Sequence, residues 1–260
     1  MQLSPSIFKA YDIRGIIDQT LDASIAFSLG QAFGSQMIDL GESVIAVGRD
    51  GRLSGPDLLE ALTRGLLSTG IDVIDLGMVA TPMVYFAANQ TINGQNPKSG
   101  IMITGSHNPP NYNGFKMVLG GAAIYGEKIQ GLYQQIQNKS FKQGQGQRSQ
   151  FDIFPMYLQR IVSDVHLARP MKITIDCGNG VGGAFATQLF RALGCEVEEL
   201  FCEVDGNFPN HHPDPAHLEN LQDLIQNLAQ TTSELGLAFD GDADRLGVVT
   251  KNGEVIFPDR

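Results

Sequence analysis

The sequence predicts an α/β protein made of two topologically related three-layer α/β/α domains, each a mixed sheet flanked by helices. Three observations carry this reading. Short apolar runs of strand length alternate with longer stretches whose apolar residues recur at helical spacing. The order strand, glycine turn, helix, glycine, strand occurs twice, over residues 44–76 and again over 173–200. Between the two copies, residues 139–150 lack periodicity and contain Gln143-Gly144-Gln145-Gly146-Gln147, a polar glycine-rich run that predicts a boundary. The domains are therefore placed at 1–150 and 151–256, with 257–260 beginning a linker.

Taken in order, residues 7–16 are too mixed for a plain strand. A first helix follows at about 22–40, where Ile25, Leu29, Phe33, Met37 and Leu40 share one face and Gly41 is a C-terminal stop. A strand at 43–47 runs into Gly48-Arg49-Asp50-Gly51-Arg52; Ser54 is placed as the cap of the next helix, with Pro56 in its first turn and Gly70 at its end. A strand at 71–76, a short helix opened by Thr81-Pro82, a buried strand at 101–103, a strand at 115–119 and a helix at about 126–138 complete the first half. In the second half the pattern gives a helix at 151–165, a strand at 171–175, a tight Cys177-Gly178-Asn179-Gly180 turn, a helix at about 182–193 and a strand at 195–200. A long loop at 202–216, stiffened by Pro209, Pro213 and Pro215, precedes a helix at about 217–230 and a strand at 235–239. A hairpin around Asn252-Gly253 closes the chain.

Composition narrows the function. A net charge of −10 with no basic tract argues against nucleic-acid or anionic-membrane partners, while leaving room for a local cationic pocket that takes a phosphate. The first residues, Met1-Gln2-Leu3-Ser4-Pro5, lack the features of a secretory signal, and no apolar run reaches membrane-spanning length. Cys177, Cys195 and Cys202 make no CxxC and are expected to be small buried residues rather than a disulfide framework, which fits a cytoplasmic protein.

Two loops carry chemistry. Asp240, Asp242 and Asp244 alternate just past an apolar strand, and three converging carboxylates suit Mg²⁺, a hard cation. A calcium EF-hand is excluded because Arg245 and Lys251 stand where it needs Gly and Glu. The plain alternative is a solvated acidic turn. The other loop, Thr104-Gly105-Ser106-His107-Asn108-Pro109, presents a hydroxyl and an imidazole. It lacks the G-x-S-x-G elbow, and in an extended chain His107 points away from Ser106, so Lys116 is the better partner if the loop folds back. A Ser in such a loop is, by itself, an ordinary turn residue. His211 and His212 lack ligand spacing and read as loop surface. Arg14, Arg49, Arg52, Lys116 and Arg245 all fall near strand-to-loop transitions. Singly each is a surface cation, but beside a metal loop they suggest a phosphate-handling cleft.

These residues resemble those of a known family. Thr104-Gly105-Ser106-His107-Asn108-Pro109 resembles the phosphoserine loop of the α-D-phosphohexomutases, and Asp240-Gly241-Asp242-Ala243-Asp244-Arg245 resembles their magnesium loop. The segments at 8–15 and 48–55 also match, and Pro110-Asn111-Tyr112-Asn113-Gly114-Phe115-Lys116 leans toward the bacterial phosphomannomutase/phosphoglucomutase branch. The resemblance implies a phosphoryl group carried on Ser106 and Mg²⁺ held by Asp240, Asp242 and Asp244 with a phosphoserine oxygen. It gives Lys116 a role in proton transfer or phosphate stabilisation with Arg14 close by, Tyr11 a place at the substrate, Arg245 a role in holding the acidic loop, and His107 a supporting role. The substrates implied are hexose phosphates and a hexose bisphosphate, the phosphate moving between O1 and O6 of mannose or glucose. Ser106 is expected to face the metal across a junction of two domains.

The resemblance covers the first two of the family's four domains, and the family's sugar-recognition and C-terminal phosphate loops have no counterpart here. The expectation is an N-terminal portion that keeps the phosphoserine–magnesium half-site but turns over little without its C-terminal domains. Two other readings remain at this point. One is a phosphatase with Asp240 as nucleophile, although Asp244 stands where such sites carry Thr or Val. The other is a non-catalytic phosphosugar- or metal-binding module.

Overall fold

The computed structural model describes residues 3–256, so the tail at 257–260, expected to begin a linker, lies outside the described residues. The chain forms two compact units. One comprises Met1–Gly105 and Pro110–Ile153, the other Ser106–Pro109 and Phe154–Arg260. No helix among the described residues is long and apolar enough to cross a membrane.

The first unit contains β1 (Ile13–Ile16), α1 (Ala23–Asp39), β2 (Val44–Arg49), α2 (Gly55–Leu67), β3 (Asp72–Met78), α3 (Thr81–Ala87), β4 (Ser99–Ile103), β5 (Tyr112–Leu119), β6 (Ala122–Ala123), α4 (Glu127–Asn138) and β7 (Arg148–Gln150). Its sheet runs β1-β5-β4-β2-β3-β7, with β6 paired to β5. Strands β4, β2, β3 and β7 are mutually parallel, while β5 lies antiparallel to both β4 and β1. Alternation along the strands sorts the side chains into layers. Ile45, Val47, Ile101 and Ile103 join the cluster formed by Leu29 and Phe33 of α1, Leu62 and Leu66 of α2, and Ile129 and Leu132 of α4. The opposite face is trimmed to glycine where α3 crosses: a Cβ on Gly48 or Gly100 would fall 2.9 or 3.1 Å from Val84.

Local signals account for most of these elements. Asp22 caps α1 by accepting the Ile25 N–H at 2.9 Å, and Gly41 ends the helix in the left-handed region at φ +75°. Ser54 does stand at the N-cap of α2, but its hydroxyl makes no cap bond. It accepts instead from Asn113 Nδ2 at 2.9 Å, leaving Pro56 as the helix-starting signal. Residues 13–16, set aside in the sequence as too mixed, do form a strand, because β5 supplies the backbone partners that so short a segment lacks locally.

The polar run at 139–150 is also more ordered than a linker. Gly144 and Gly146 donate to the carbonyls of Ser68 and Leu67, each at 2.9 Å, and β7 then pairs with β3. A Cβ on Gly146 would sit 2.1 Å from the Ile71 carbonyl, so the glycine permits close backbone approach here rather than chain flexibility. Arg148 fixes the strand through ion pairs to Glu60 and buried Asp75, both at 2.7 Å.

The second unit contains α5 (Phe154–Asp164), β8 (Lys172–Asp176), α6 (Ala186–Ala192), β9 (Glu196–Leu200), α7 (Gln222–Gln230), β10 (Leu235–Phe239), β11 (Leu246–Thr250) and β12 (Val255–Ile256). Its sheet order is β12-β11-β10-β8-β9. Strands β10, β8 and β9 are parallel, and β11 turns back antiparallel. Ile173, Ile175 and Leu237 pack with Ala186 of α6, and Ala238 and Val249 with Leu224 and Leu228 of α7, giving the second three-layer arrangement. Two helices expected to be continuous are broken. Val181–Ala184 forms a separate 3₁₀ turn before α6, and Leu218–Leu221 another before α7. The first break follows from Gly183, where a Cβ would lie 1.9 Å from the Cys202 carbonyl.

The two sheets share one plan. The order β1-β5-β4-β2-β3 repeats as β12-β11-β10-β8-β9, with matching parallel and antiparallel neighbours. The loop after β4 and the loop after β10 are thereby equivalent positions, each a turn from a parallel strand into its antiparallel neighbour.

Helices α1 and α2 touch through glycines: a Cβ on Gly65 would meet the Phe27 carbonyl at 2.1 Å, and one on Gly30 the Leu62 carbonyl at 2.3 Å. Gly65→Ala gains about 1 kcal/mol of helix propensity but must push two backbones apart, at a cost of about 1–3 kcal/mol or more. The expected outcome is net destabilisation of about 1–2 kcal/mol in urea unfolding. Gly131→Ala on α4, where the nearest atom is Gln36 Nε2 at 4.0 Å, is expected to stabilise by about 0.5–1 kcal/mol in the same assay.

Candidate active site

The acidic loop is built around Asp240, the first residue past β10. Its backbone N–H donates to the Arg245 carbonyl at 3.2 Å, and its Oδ1 accepts from the N–H groups of Asp244 and Arg245, both at 3.1 Å. Ala243 adopts a left-handed φ of +58°, which turns the chain back into β11. Asp240 and Asp242 are both fully buried, and Asp244 is exposed. One carboxylate oxygen from each of the three lies within 4.8 Å of the other two. At an effective dielectric near 20, each ionised pair at such a distance repels by roughly 3 kcal/mol. Burial first, and then the charges of Asp242 and Asp244, push the Asp240 carboxyl up to about 8, against the opposing backbone hydrogen bond from Arg245. Three hard oxygen donors converging at one place, two of them shut away from water, fit a divalent cation of the Mg²⁺ type.

Asp240 also reaches Ser106. The Ser106 hydroxyl donates to Asp240 Oδ2 at 3.1 Å and lies 3.3 Å from His107 Nδ1. Ser106 is fully buried, and its φ of +50° is left-handed, a rare conformation for a residue with a side chain. That turn overrides the extended-chain argument against His107, bringing the imidazole back beside its neighbour's hydroxyl. Gly241 is required opposite, since a Cβ there would lie 2.4 Å from the Ser106 carbonyl. Ser106–Pro109 group with the second unit, beside the acidic loop, while β4 and β5 on either side of them belong to the first.

The root of the Ser106 loop is held in the first unit by a network that sequence reading missed. Asp50 Oδ2 accepts the Thr104 hydroxyl at 2.7 Å, and Asp50 Oδ1 accepts the Arg52 N–H at 3.0 Å. The Arg52 guanidinium pairs with Asp50 at 3.3 Å, donates to the Tyr112 carbonyl at 3.0 Å, and lies where a Cβ on Gly105 would come within 2.5 Å. Arg52 is therefore not an exposed phosphate ligand. At 1% exposure it is a buried strut, and removing either charge of such a pair costs about 3–5 kcal/mol. The signal available in the sequence was Asp50 two residues before Arg52, an internal partner for the cation.

The remaining candidates divide between the units. Arg14 on β1 pairs with Asp12, and its backbone register places it opposite Gly114 on β5. Lys116 lies two residues further along β5, so Arg14 and Lys116 project from the same face of the first sheet. Tyr11 is 79% exposed. The Arg245 side chain is exposed, and it is the residue's backbone that closes on Asp240. His211, expected at the loop surface, is half-buried. Its Nε2 donates to both oxygens of Asp176, at 3.1 and 3.0 Å, and its Nδ1 faces the His212 carbonyl at 3.0 Å. Burial disfavours the imidazolium, but the hydrogen bond and charge of Asp176 outweigh it and raise the pKa.

Known proteins are similar to this chain along nearly its whole length. The family model described as phosphoglucomutase/phosphomannomutase, alpha/beta/alpha domain I, matches residues 5–143, and that of domain II matches residues 155–253. A Pseudomonas aeruginosa protein named phosphomannomutase/phosphoglucomutase is 54% identical over 258 residues, covering 99% of this chain and 55% of the relative. A Neisseria gonorrhoeae phosphoglucomutase is 56% identical over 260 residues, covering 99% of this chain and 56% of the relative. The crystal structure of a phosphoglucomutase/phosphomannomutase family protein from Burkholderia thailandensis superposes with a TM-score of 0.98 at 58% identity, over 99% of this chain and 57% of that one. The chain thus spans about half the length of the curated relatives it matches. With both domain models matched in order and high identity along nearly its whole length, the chain belongs to the phosphoglucomutase/phosphomannomutase family.

Proposed function

We propose that this chain carries the phosphoryl-transfer half of a cytoplasmic phosphohexomutase, an isomerase that interconverts the 1- and 6-phosphates of mannose or glucose through a phosphoserine at Ser106 and a bisphosphorylated sugar. The observation that carries the reading is the hydrogen bond from Ser106 Oγ to Asp240 Oδ2 at 3.1 Å, which puts the hydroxyl at the edge of a cluster of three carboxylates. A hydroxyl against a cluster of three carboxyl groups is, without a cation, a poor place for a phosphate, since phosphoserine brings a further charge of about −1.5 to −2. Mg²⁺ held by Asp240, Asp242 and Asp244 would reverse the sign of the local field and screen the transferring phosphoryl oxygens.

The protein's own residues supply the positioning on which phosphoryl transfer depends. Asp50, Arg52 and Thr104 fix the root of the loop, and the Ser106 backbone turn aims Oγ at Asp240. In the forward half-reaction the Ser106 Oγ–P bond breaks and a bond from phosphorus to a sugar hydroxyl oxygen forms. The sugar hydroxyl gives up its proton, a role suited to Lys116, and the serine oxygen regains one on becoming a free hydroxyl. The other phosphate of the bisphosphate then returns to Ser106, leaving the isomeric monophosphate. Arg14, Lys116 and Tyr11 are assigned to the phosphosugar, and His107, 3.3 Å from Ser106 Oγ, to support of the serine.

Incubation with glucose 1,6-bisphosphate and Mg²⁺ is expected to add one phosphoryl group, mapped to Ser106 and absent from Ser106→Ala. A hydroxylamine-labile phosphate on Asp240 would instead establish an aspartate-nucleophile phosphatase. Sugar-phosphate binding with no phosphoryl incorporation would make the chain a binding module. In a coupled assay with mannose 1-phosphate or glucose 1-phosphate, these residues alone are expected to turn over little, and rates typical of the family would overturn that expectation.

Metal binding should also report on Asp240. The folded, metal-free protein holds a proton that the unfolded chain releases near pH 4, so its stability falls as pH rises from about 4 toward 8. Mg²⁺ must expel that proton. Its affinity is expected to rise between pH 6 and 8 and level off above, with close to one proton released per ion at pH 7. Calorimetry in two buffers of different ionisation enthalpy measures this, and binding without proton release would contradict it.

A further inference from the structure

Cys177 and Cys202 lie outside the chemistry assigned above, yet they are brought together by the sheet. Cys177 follows β8 directly and donates its N–H to the Leu200 carbonyl at 3.1 Å, while Cys202 follows β9 by two residues. Asp176 and Leu200 are register partners, so both cysteines sit at the same end of two neighbouring parallel strands. Phe201, at φ +49°, turns the chain so that the Cys202 thiol comes back against β8, 3.6 Å from the Ile175 carbonyl. The two sulfurs are 3.7 Å apart, and both thiols are free. The sequence reading took each as an isolated small core residue.

The pair also touches the support of the acidic loop. The 3₁₀ turn Val181–Ala184 lies between them and that loop. A Cβ on Gly182 would stand 3.5 Å from Cys177 Sγ on one side and 3.3 Å from Ala243 Cβ on the other, and Gly183 is pressed against the Cys202 carbonyl. From the same turn, the Val181 N–H donates to the Gly241 carbonyl at 3.1 Å. A disulfide needs the sulfurs at about 2.05 Å, so closing the pair draws them together by about 1.7 Å, and a well-packed turn cannot absorb that without moving.

We propose that Cys177 and Cys202 form a peroxide-sensitive dithiol whose closure to a disulfide reshapes the Val181–Ala184 turn and loosens the acidic loop resting on it. Cys202 is partly exposed and Cys177 is buried, which sets their roles. The Cys202 thiolate attacks hydrogen peroxide: an S–O bond forms, the O–O bond breaks, and the departing hydroxide takes up the thiol's proton as water. The Cys177 sulfur then attacks the sulfenic sulfur. The S–S bond forms, the S–O bond breaks, and hydroxide leaves with the Cys177 proton as a second water. Two thiols are oxidised by two electrons as one peroxide is reduced. The hydrogen-bonded neighbour Cys202 and burial both hold the Cys177 thiol well above the usual thiol range, which suits it to the second step rather than the first.

The test oxidises the purified chain with stoichiometric hydrogen peroxide, alkylates it under denaturing conditions and maps the peptides without reduction. A Cys177–Cys202 cross-link with Cys195 alkylated is expected, reversed by dithiothreitol and absent from Cys202→Ser and from Cys177→Ala. Hydrogen exchange on the same samples is expected to show the Asp244 and Arg245 amides exchanging about fivefold faster after oxidation, with Cys202→Ser unchanged by peroxide. A link through Cys195, over-oxidised Cys202 without a cross-link, or a cross-link that leaves loop exchange unaltered would overturn the proposal. Only the functional weight of the loosening rests on reading the loop as a magnesium site. Magnesium titration of the reduced protein tests that separately, and its failure would leave the mapping and exchange results standing.

Discussion

Everything described in the second unit depends on keeping Asp240 in place. A carboxylate held out of water beside two others is unstable in isolation, and the structure surrounds it with donors. The backbone of Asp244 and Arg245 serves Oδ1, the Ser106 hydroxyl serves Oδ2, and the turn between Gly241 and Ala243 is admitted only because position 241 lacks a side chain. β10 is central, with β8 on one side and β11 on the other, so the loop springs from the most firmly held part of its sheet. These donors fix the direction of the group, because a loosely held carboxyl would turn toward solvent.

The first unit solves a related problem differently. The equivalent loop after β4 carries a neutral hydroxyl, and the charge sits instead in its foundation in the first unit. Asp50 and Arg52 neutralise one another beneath Thr104 and Gly105. One plan of strands therefore supports two loops of opposite electrical character, one anchored by a compensated ion pair and the other left acidic. The shared order of strands makes this division of labour visible, since the two loops occupy the same place in each sheet.

The parts legible in the sequence were those specified locally. The helical spacing of Leu29, Phe33 and Met37, the stop at Gly41 and the alternation of apolar strands with glycine turns each need only a few neighbouring residues. The acidic loop was legible from three alternating carboxylates just past an apolar strand, whereas the part given to Ser106 came only through resemblance to a family, as a hydroxyl in a turn carries no distinctive pattern. What escaped was specified at a distance. β1 owes its existence to β5, a hundred residues away in sequence, and β7 has no apolar pattern because backbone pairing and the Arg148 ion pairs hold it. Arg52 and His211 were read as surface groups, since a cation or imidazole in a polar loop looks the same whether water or a buried carboxylate awaits it. The left-handed turn at Ser106, which reverses the argument about His107, has no signature in residue type.

The strand β7 has a practical bearing on where the first unit stops. It covers one edge of β3, and the match to the domain I family model ends at residue 143, before that strand begins. A domain excised there would expose the hydrogen-bonding groups of β3 along a parallel, apolar strand, a template for pairing with another copy. Ending the excised piece at Ile153 keeps that edge covered, and keeps the Arg148 ion pairs that clasp it. The glycine-rich run that marks a boundary in the sequence thus leads into a hem, a short polar edge strand whose removal would leave apolar β3 as the edge.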